Sequence, residues 1–285
     1  MFEVLENDTL APNVHRLVVR APRIAKARKP GQFVIVHPQK GGERIPLTIA
    51  DADPEDGTIT LFVQAIGAST LKITGTPPGS SLLDIAGPLG KETDIENWGR
   101  VVCVGGGVGT AVLYPQAKAL ADAGNEVTTI IGGRSAPFII LAEELGRFSR
   151  EVLITTEDGS LGKQGFVTNA LQELIDDPLR CPQAIFAVGP VPMMRAVCEL
   201  SRPYGIKTIV SLNPIMIDGT GMCGGCRVSI AGETKFACVD GPEFDGHQVD
   251  FALLMDRLTM YRDQEARLVE DLPESLKGKI TKVKK

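Results

Sequence analysis

Three of the six cysteines fall close together, Cys223 and Cys226 with two residues between them and Cys238 after eleven more. Asp218 stands five positions before the first, in the run Asp218-Gly-Thr-Gly-Met-Cys223-Gly-Gly-Cys226. Four ligands at this spacing reproduce the plant-type [2Fe-2S] pattern C-x4-C-x2-C…C, with aspartate in place of the first cysteine. Thiolates stabilise ferric iron by donating charge, and a carboxylate would make one iron harder. Gly219, Gly221, Gly224 and Gly225 would let a short loop wrap a cluster and aim its N–H groups at the sulfurs. Zinc stays open, because Cys-x-x-Cys is also a zinc half-site. Zinc ribbons usually add a second such pair or a histidine pair, however, and His15, His37 and His247 are the only histidines. A disulfide is the weakest of the three readings. Asp218 reads either as a ligand or as a turn residue that never touches iron.

A second group of residues suits phosphate chemistry. The apolar run Val101–Val104 ends in Gly105-Gly-Gly107-Val108-Gly109-Thr110 and is followed by a helical stretch. A strand-to-helix glycine loop is the context a dinucleotide needs, with backbone N–H groups at a helix N-terminus facing the pyrophosphate. Thr110 stands where the usual third glycine would be. The next strand ends at Arg134 and lacks the acidic residue that binds the ribose of NAD; this does not decide between NAD and NADP. Glu157 and Asp158 follow the third strand, and Gly189, Pro190 and Met193 follow the fourth, both where a nucleotide would lie. The plainer readings are a polar turn for the first pair and a helix start with a core methionine for the second.

A third group lies nearer the N-terminus. Pro30-Gly31-Gln32-Phe33 leads into a strand, and Arg44-Ile-Pro46-Leu47-Thr48 follows it. Phe62-Val63-Gln64 then runs into Gly67, Ser69 and Thr70. An arginine, hydroxyls and free N–H groups at a short helix start are what a diphosphate requires. Taken singly, Arg44 also reads as a solvated loop charge and Ser69 as a helix N-cap.

The elements that must position these groups differ along the chain. From Phe2 to about Asp94, short alternating runs are broken by proline and glycine, with Ser69–Thr74 the one helical stretch, which predicts a small antiparallel β-barrel. From Trp98, strands and helices alternate to Leu212, which predicts a doubly wound parallel sheet with helices on both faces. The expected division is a barrel over 1–97, an α/β nucleotide domain over 98–212, a [2Fe-2S] loop over 213–248, and a C-terminal part over 249–285. In the last part a long amphipathic helix is expected from Val249 to Leu268, with Leu258, Met260 and Tyr261 on a face that could dock on another subunit. A solvated basic tail, Lys277 to Lys285, closes the chain.

Composition narrows the function. The 285 residues are 43% hydrophobic, enough for two cores, while a net charge of -5 and 5% aromatic residues argue against nucleic acid. Apolar stretches are too short for a membrane span and the N-terminus carries no signal pattern, so a cytoplasmic protein is expected. Cys103, Cys181 and Cys198, scattered elsewhere, read as small buried residues in a reducing compartment.

In this order the motifs resemble the ferredoxin–NADP reductase superfamily. The likeness implies that Pro46, Leu47 and Thr48 line a flavin ring and that Ser69 and Thr70 hold its diphosphate. It also places Gly189-Pro190 beside the nicotinamide, with Val188 where relatives carry cysteine. Arg44, aligned on Thr48, sits one position earlier than the family arginine. The whole order is similar to one branch, comprising the electron-transfer subunit of dihydroorotate dehydrogenase and the small subunit of NADH-dependent reduced ferredoxin:NADP+ oxidoreductase. The Asp-Gly-Thr-Gly-Met-Cys run matches the second, since the first carries four cysteines. What this resemblance implies is an oxidoreductase binding FAD, NAD(H) and a [2Fe-2S] cluster, with hydride passing near Thr48 and Gly189-Pro190. It also implies a larger flavin and [4Fe-4S] partner subunit in a heterodimer engaged in electron bifurcation, with ferredoxin and NADP as indirect partners. An NAD-dependent dihydroorotate dehydrogenase is the alternative. No side chain suggests a general acid or base, which suits chemistry carried by cofactors.

Overall fold

The computed structural model describes residues 1–272. The basic tail, Lys277 to Lys285, lies outside the described residues.

The first part contains β1 (Phe2–Ala11), β2 (Val14–Arg20), α1 (Pro22–Ala27), β3 (Phe33–His37), β4 (Ile45–Asp53), β5 (Thr58–Gln64), α2 (Ala68–Thr74), β6 (Ser81–Leu82) and β7 (Asp84–Leu89). The strands form one antiparallel sheet in the order β6-β1-β2-β5-β4-β3-β7. Its two edge strands, β6 and β7, are separated only by Leu83, so the sheet curls into a nearly closed barrel. Strict alternation drives this: along β5 Ile59, Leu61 and Val63 point inward and the residues between them do not. They meet Val4, Leu17, Val19, Val34, Val36 and Ile49 in one core.

The second part runs β8 (Arg100–Gly106), α3 (Gly109–Asp122), β9 (Glu126–Gly133), α4 (Ala142–Gly146), β10 (Glu151–Thr156), β11 (Lys163–Gln164), α5 (Val167–Asp176), β12 (Ala184–Val188), α6 (Val191–Ser201) and β13 (Lys207–Ser211). After a loop come β14 (Arg227–Ile230), β15 (Glu233–Phe236), α7 (Ala237–Asp240), β16 (Glu243–Asp245), α8 (Phe251–Arg257) and α9 (Arg262–Glu270). The second sheet has the order β11-β10-β9-β8-β12-β13-β16, parallel except for β16, which returns antiparallel to β13. Its central strands are apolar on both faces. One face carries α5 and α6 over Val104, Ile130 and Ile185; the other carries α3 over Cys103, Val127 and Phe186. β14 and β15 form a separate hairpin, whose two-residue turn uses Ala231 (φ 51°) and Gly232 (φ 82°), the twist that suits a tight hairpin.

One expectation fails here. No single helix spans Val249–Leu268. α8 ends at Arg257, and a turn over 258–261 separates it from α9. The break is local: Thr259 turns its hydroxyl back onto the Asp256 carbonyl, and Met260 N–H bonds to the Arg257 carbonyl, drawing the chain out of helical register. Leu258 is half-buried in this turn, whereas Met260 and Tyr261 are exposed.

Candidate functional site

β13 delivers the chain into a long irregular loop that carries three of the four expected metal ligands. Gly219, with φ 74°, lies where a Cβ would come within 2.6 Å of Leu89 and 2.9 Å of Ile35, so the loop is pressed onto the barrel. Asp218 accepts hydrogen bonds through Oδ1 from Thr220 N (2.9 Å) and through Oδ2 from Cys223 N (2.7 Å). The Thr220 N–H foremost holds its carboxyl below the usual range, keeping it anionic. Cys226 and Cys238, both buried, bring their sulfurs to 3.1 Å, Cys238 entering on the short α7. Burial, then the neighbouring Cys226, pushes the Cys238 thiol up to about 12, so a metal binding here must displace its proton. Cys223 stays exposed and accepts from Gly225 N at 3.4 Å.

The fold therefore pairs Cys226 with Cys238 and ties Asp218 to the backbone of Cys223. Among the described residues, no three candidate ligands converge on one point. The donor set nevertheless fits an iron–sulfur group: three thiols, a carboxylate, and a loop N–H already directed at a sulfur. Of the remaining cysteines, Cys103 and Cys198 are buried and their thiols are raised by burial, Cys198 to about 12, while Cys181 is half-buried.

At the carboxyl edge of the parallel sheet, β8 passes through Gly105 and Gly107 into α3. Gly109 is required here, because a Cβ would lie 2.4 Å from the Val188 carbonyl oxygen and 2.7 Å from Gly189 Cα. Met193 covers the same crossing, its Sδ 2.4 Å from where a Gly106 Cβ would stand, with Pro190 exposed beside it. The structure thus joins the glycine loop to the Gly189-Pro190 turn. Thr110 is fully buried and its Oγ1 has no hydrogen-bond partner. Such an orphaned hydroxyl at a helix N-terminus fits a site built to meet a polar ligand. Gly107 N donates to the Gly132 carbonyl, and the loop at Glu157 and Asp158 is tied by their N–H groups to the carbonyls of Gly133 and Arg134. Arg134, Glu157 and Asp158 all stay exposed. Asp158 spends Oδ1 on Ser160 N and Oγ, the plain turn arrangement, and these bonds lower its pKa.

On the barrel, Pro46, Leu47 and Thr48 sit half-buried on β4. Val63 is 0% exposed inside the barrel core, so it can face a cofactor only through its backbone, whereas Phe62 and Gln64 point outward. Phe62 packs with Val108 and Ala111 in one apolar seam, joining barrel to nucleotide loop. Gly67 caps α2, and Thr70 Oγ1 accepts from Ile66 N and Gly67 N. Ser69 is therefore not the N-cap; it is buried and donates to Glu43 Oε2. Arg44 is exposed without an ion-pair partner among the described residues.

These features together are those of a known group. Residues 213–250 match the iron–sulfur cluster binding domain of dihydroorotate dehydrogenase B. A dihydroorotate dehydrogenase B (NAD(+)) electron transfer subunit homolog from Thermotoga maritima is 46% identical over 92% of both chains. The chain belongs to this family of electron-transfer subunits. A member from Listeria innocua is 32% identical over 87% of this chain and 97% of its own. A subunit from a structure of the NADH-dependent reduced ferredoxin-NADP oxidoreductase, described for flavin-based electron bifurcation, superposes with a TM-score of 0.89. It is 44% identical and covers 95% of this chain and 97% of its own. Phthalate dioxygenase reductase shares the fold alone, with a TM-score of 0.60 at 14% identity over 80% of this chain and 85% of its own. The family membership agrees with the barrel, the parallel sheet and the late cysteine loop standing in that order.

Sequence reasoning overlooked two residues near these sites. Glu243 on β16 accepts from Thr93 and Gln116, and Arg257 on α8 reaches the cysteine loop. Neither carries a local signal, since both act across long sequence separations.

Proposed function

We propose that this chain is an electron-transfer oxidoreductase subunit that exchanges electrons with NAD(H) and passes them to or from a larger flavin and iron–sulfur partner. The observation that carries this reading is the likeness over 95% of the chain to a subunit of the NADH-dependent reduced ferredoxin-NADP oxidoreductase structure. When bound, FAD takes two electrons as hydride and releases them singly, and a [2Fe-2S] group carries one at a time. The chain's own part is to hold and orient. Pro46, Leu47 and Thr48 offer the barrel surface for a flavin ring, and the first turn of α2, at Ser69 and Thr70, offers backbone N–H groups for its diphosphate. The loop from Gly105 to Thr110 and the Gly189-Pro190 turn cradle the dinucleotide beside it. Cys223, Cys226 and Cys238, with Asp218 as fourth ligand, hold the cluster, and Phe62 and Val108 close the seam and exclude water. A [4Fe-4S]-bearing partner, with ferredoxin and NADP as further electron carriers, is the finer form of the proposal. The division into barrel, nucleotide domain, loop and C-terminal part at 97, 212 and 248 belongs to it as well.

The family names favour a second reading, in which the partner oxidises dihydroorotate. Anaerobic purification of the native complex tests both. Stoichiometric FAD and iron, with bleaching by NADH, is the expected result, and zinc or no metal at the cysteine loop would sink the proposal. Reduction of the same material by dihydroorotate would select the second reading.

A further inference from the structure

We infer that Arg257, which lies beyond the matched 213–250 segment, is a positioning residue for the iron–sulfur loop and the positive charge that loop works against. Its Nη2 donates to the Gly225 carbonyl at 3.0 Å. Gly225 in turn donates its own N–H to Cys223 Sγ at 3.4 Å, so one residue of the Cys-x-x-Cys turn is pinned on both sides. Fixing the Gly225 carbonyl also fixes the peptide unit that carries the Cys226 N–H. The guanidinium is unspent in two respects. Nε is buried and has no hydrogen-bond partner, and among the described residues no carboxylate stands within ion-pair distance of it. Pro214, Ile217, Leu254 and Tyr261 line the groove around it, walls that weaken solvent screening.

This inference rests on the cluster reading given under Proposed function. Four anionic donors outweigh the positive charge of an oxidised two-iron, two-sulfide core, and reduction adds one electron and one more negative charge. A neighbouring cation favours the reduced state, and a donor that orders the turn keeps the Gly225 N–H on the thiolate. No bond is made or broken. α8 is thereby part of the redox site rather than an appendage to it.

The test uses the full chain with its cofactors and two variants, R257Q and R257K. Midpoint potentials are read by dye-equilibrated titration with electron paramagnetic resonance, and iron and FAD contents are measured alongside. The expected result for R257Q is about a tenfold fall in the equilibrium constant for cluster reduction, about 59 mV lower for one electron. R257K should keep most of the potential but lose part of the ordering, because it lacks the rigid fork. Unchanged potentials in both variants at full iron content would overturn the inference. Hydrogen exchange at the Gly225 and Cys226 amides of the metal-free chain reads the ordering separately, and exchange no faster in R257Q would also overturn it. Zinc or no metal in the unsubstituted chain, with normal FAD, would instead fail the cluster reading and remove the charge role while the exchange result stands by itself.

Discussion

Thr93 Oγ1 donates to Glu243 Oε1 at 2.8 Å across 150 residues of sequence, tying the segment after the barrel to the last strand of the nucleotide sheet. Gln116 Nε2 of α3 reaches the same oxygen at 3.1 Å. Gly31 completes the enclosure, since a Cβ there would lie 2.3 Å from Thr93 Oγ1 and 3.1 Å from Glu243 Oε1. One carboxylate thus joins the barrel, the helix behind the dinucleotide loop and the strand that follows the cysteine loop.

Burial raises the Glu243 pKa against the opposing hydrogen bonds from Thr93 and Gln116, with Asp94 adding a like charge. A group raised in the folded state stabilises it below its unfolded value, about 4.3 for glutamate, and that contribution is lost as pH rises through the folded value. E243Q should therefore flatten the fall in melting temperature between mildly acidic and neutral pH. E243A, which strands two buried donors, should cost about 1–3 kcal/mol at every pH. Thermal scans from pH 4 to 8 decide it, and identical pH slopes for E243Q and the unsubstituted protein would contradict the assignment.

The backbone at Gly109 makes the second prediction. G109A would push a methyl into the Val188 carbonyl and Gly189, backbone atoms that cannot rotate away. The expected cost is about 1–3 kcal/mol of stability. NADH titration of the FAD-loaded variant should show loss of flavin bleaching, because α3 and the Gly189-Pro190 turn are forced apart. Normal bleaching at normal NADH concentrations would remove the crossing from the dinucleotide site.

How much of this was legible in the sequence depends on whether the cause is local. β5 and β12 are legible locally, because alternation and a continuous apolar run are properties of adjacent residues. β16 is not, being three residues long and defined only by pairing with β13. The helix break over 258–261 contains neither glycine nor proline, so the usual stop signals are missing. Among site residues, the glycine loop was visible because its geometry demands glycine. Motif resemblance names Val63 as a position without saying which way its side chain points, and the structure turns that side chain into the barrel core. Arg257 and Glu243 were invisible because their partners lie far along the chain.

Thr110 separates binding from folding. Its buried Oγ1 has no partner, so T110V, which keeps the shape and removes the orphan, should leave the melting temperature unchanged or raise it. The same variant should bind NADH several-fold more weakly if the hydroxyl serves the dinucleotide. Isothermal titration beside thermal scans gives both numbers, and an unchanged NADH affinity would reduce Thr110 to a packing residue.

Asp218 is the residue on which the two readings of the cysteine loop divide. Its two carboxylate oxygens already serve Thr220 N and Cys223 N, which is enough to explain an aspartate with no metal at all. D218N keeps the shape and one good acceptor but loses the negative charge and most ligand strength, whereas D218C supplies a thiolate and restores the four-cysteine donor set. If Asp218 ligates iron, D218N should lose most of its iron on desalting while FAD content holds. D218C should retain the cluster with a changed electron paramagnetic resonance signature and a lower potential, since thiolate donates more charge to iron than carboxylate does. If Asp218 only shapes the turn, D218N should retain iron with an unaltered spectrum and D218C should gain nothing. Iron analysis and spectra of the two variants, prepared side by side without oxygen, choose between these outcomes.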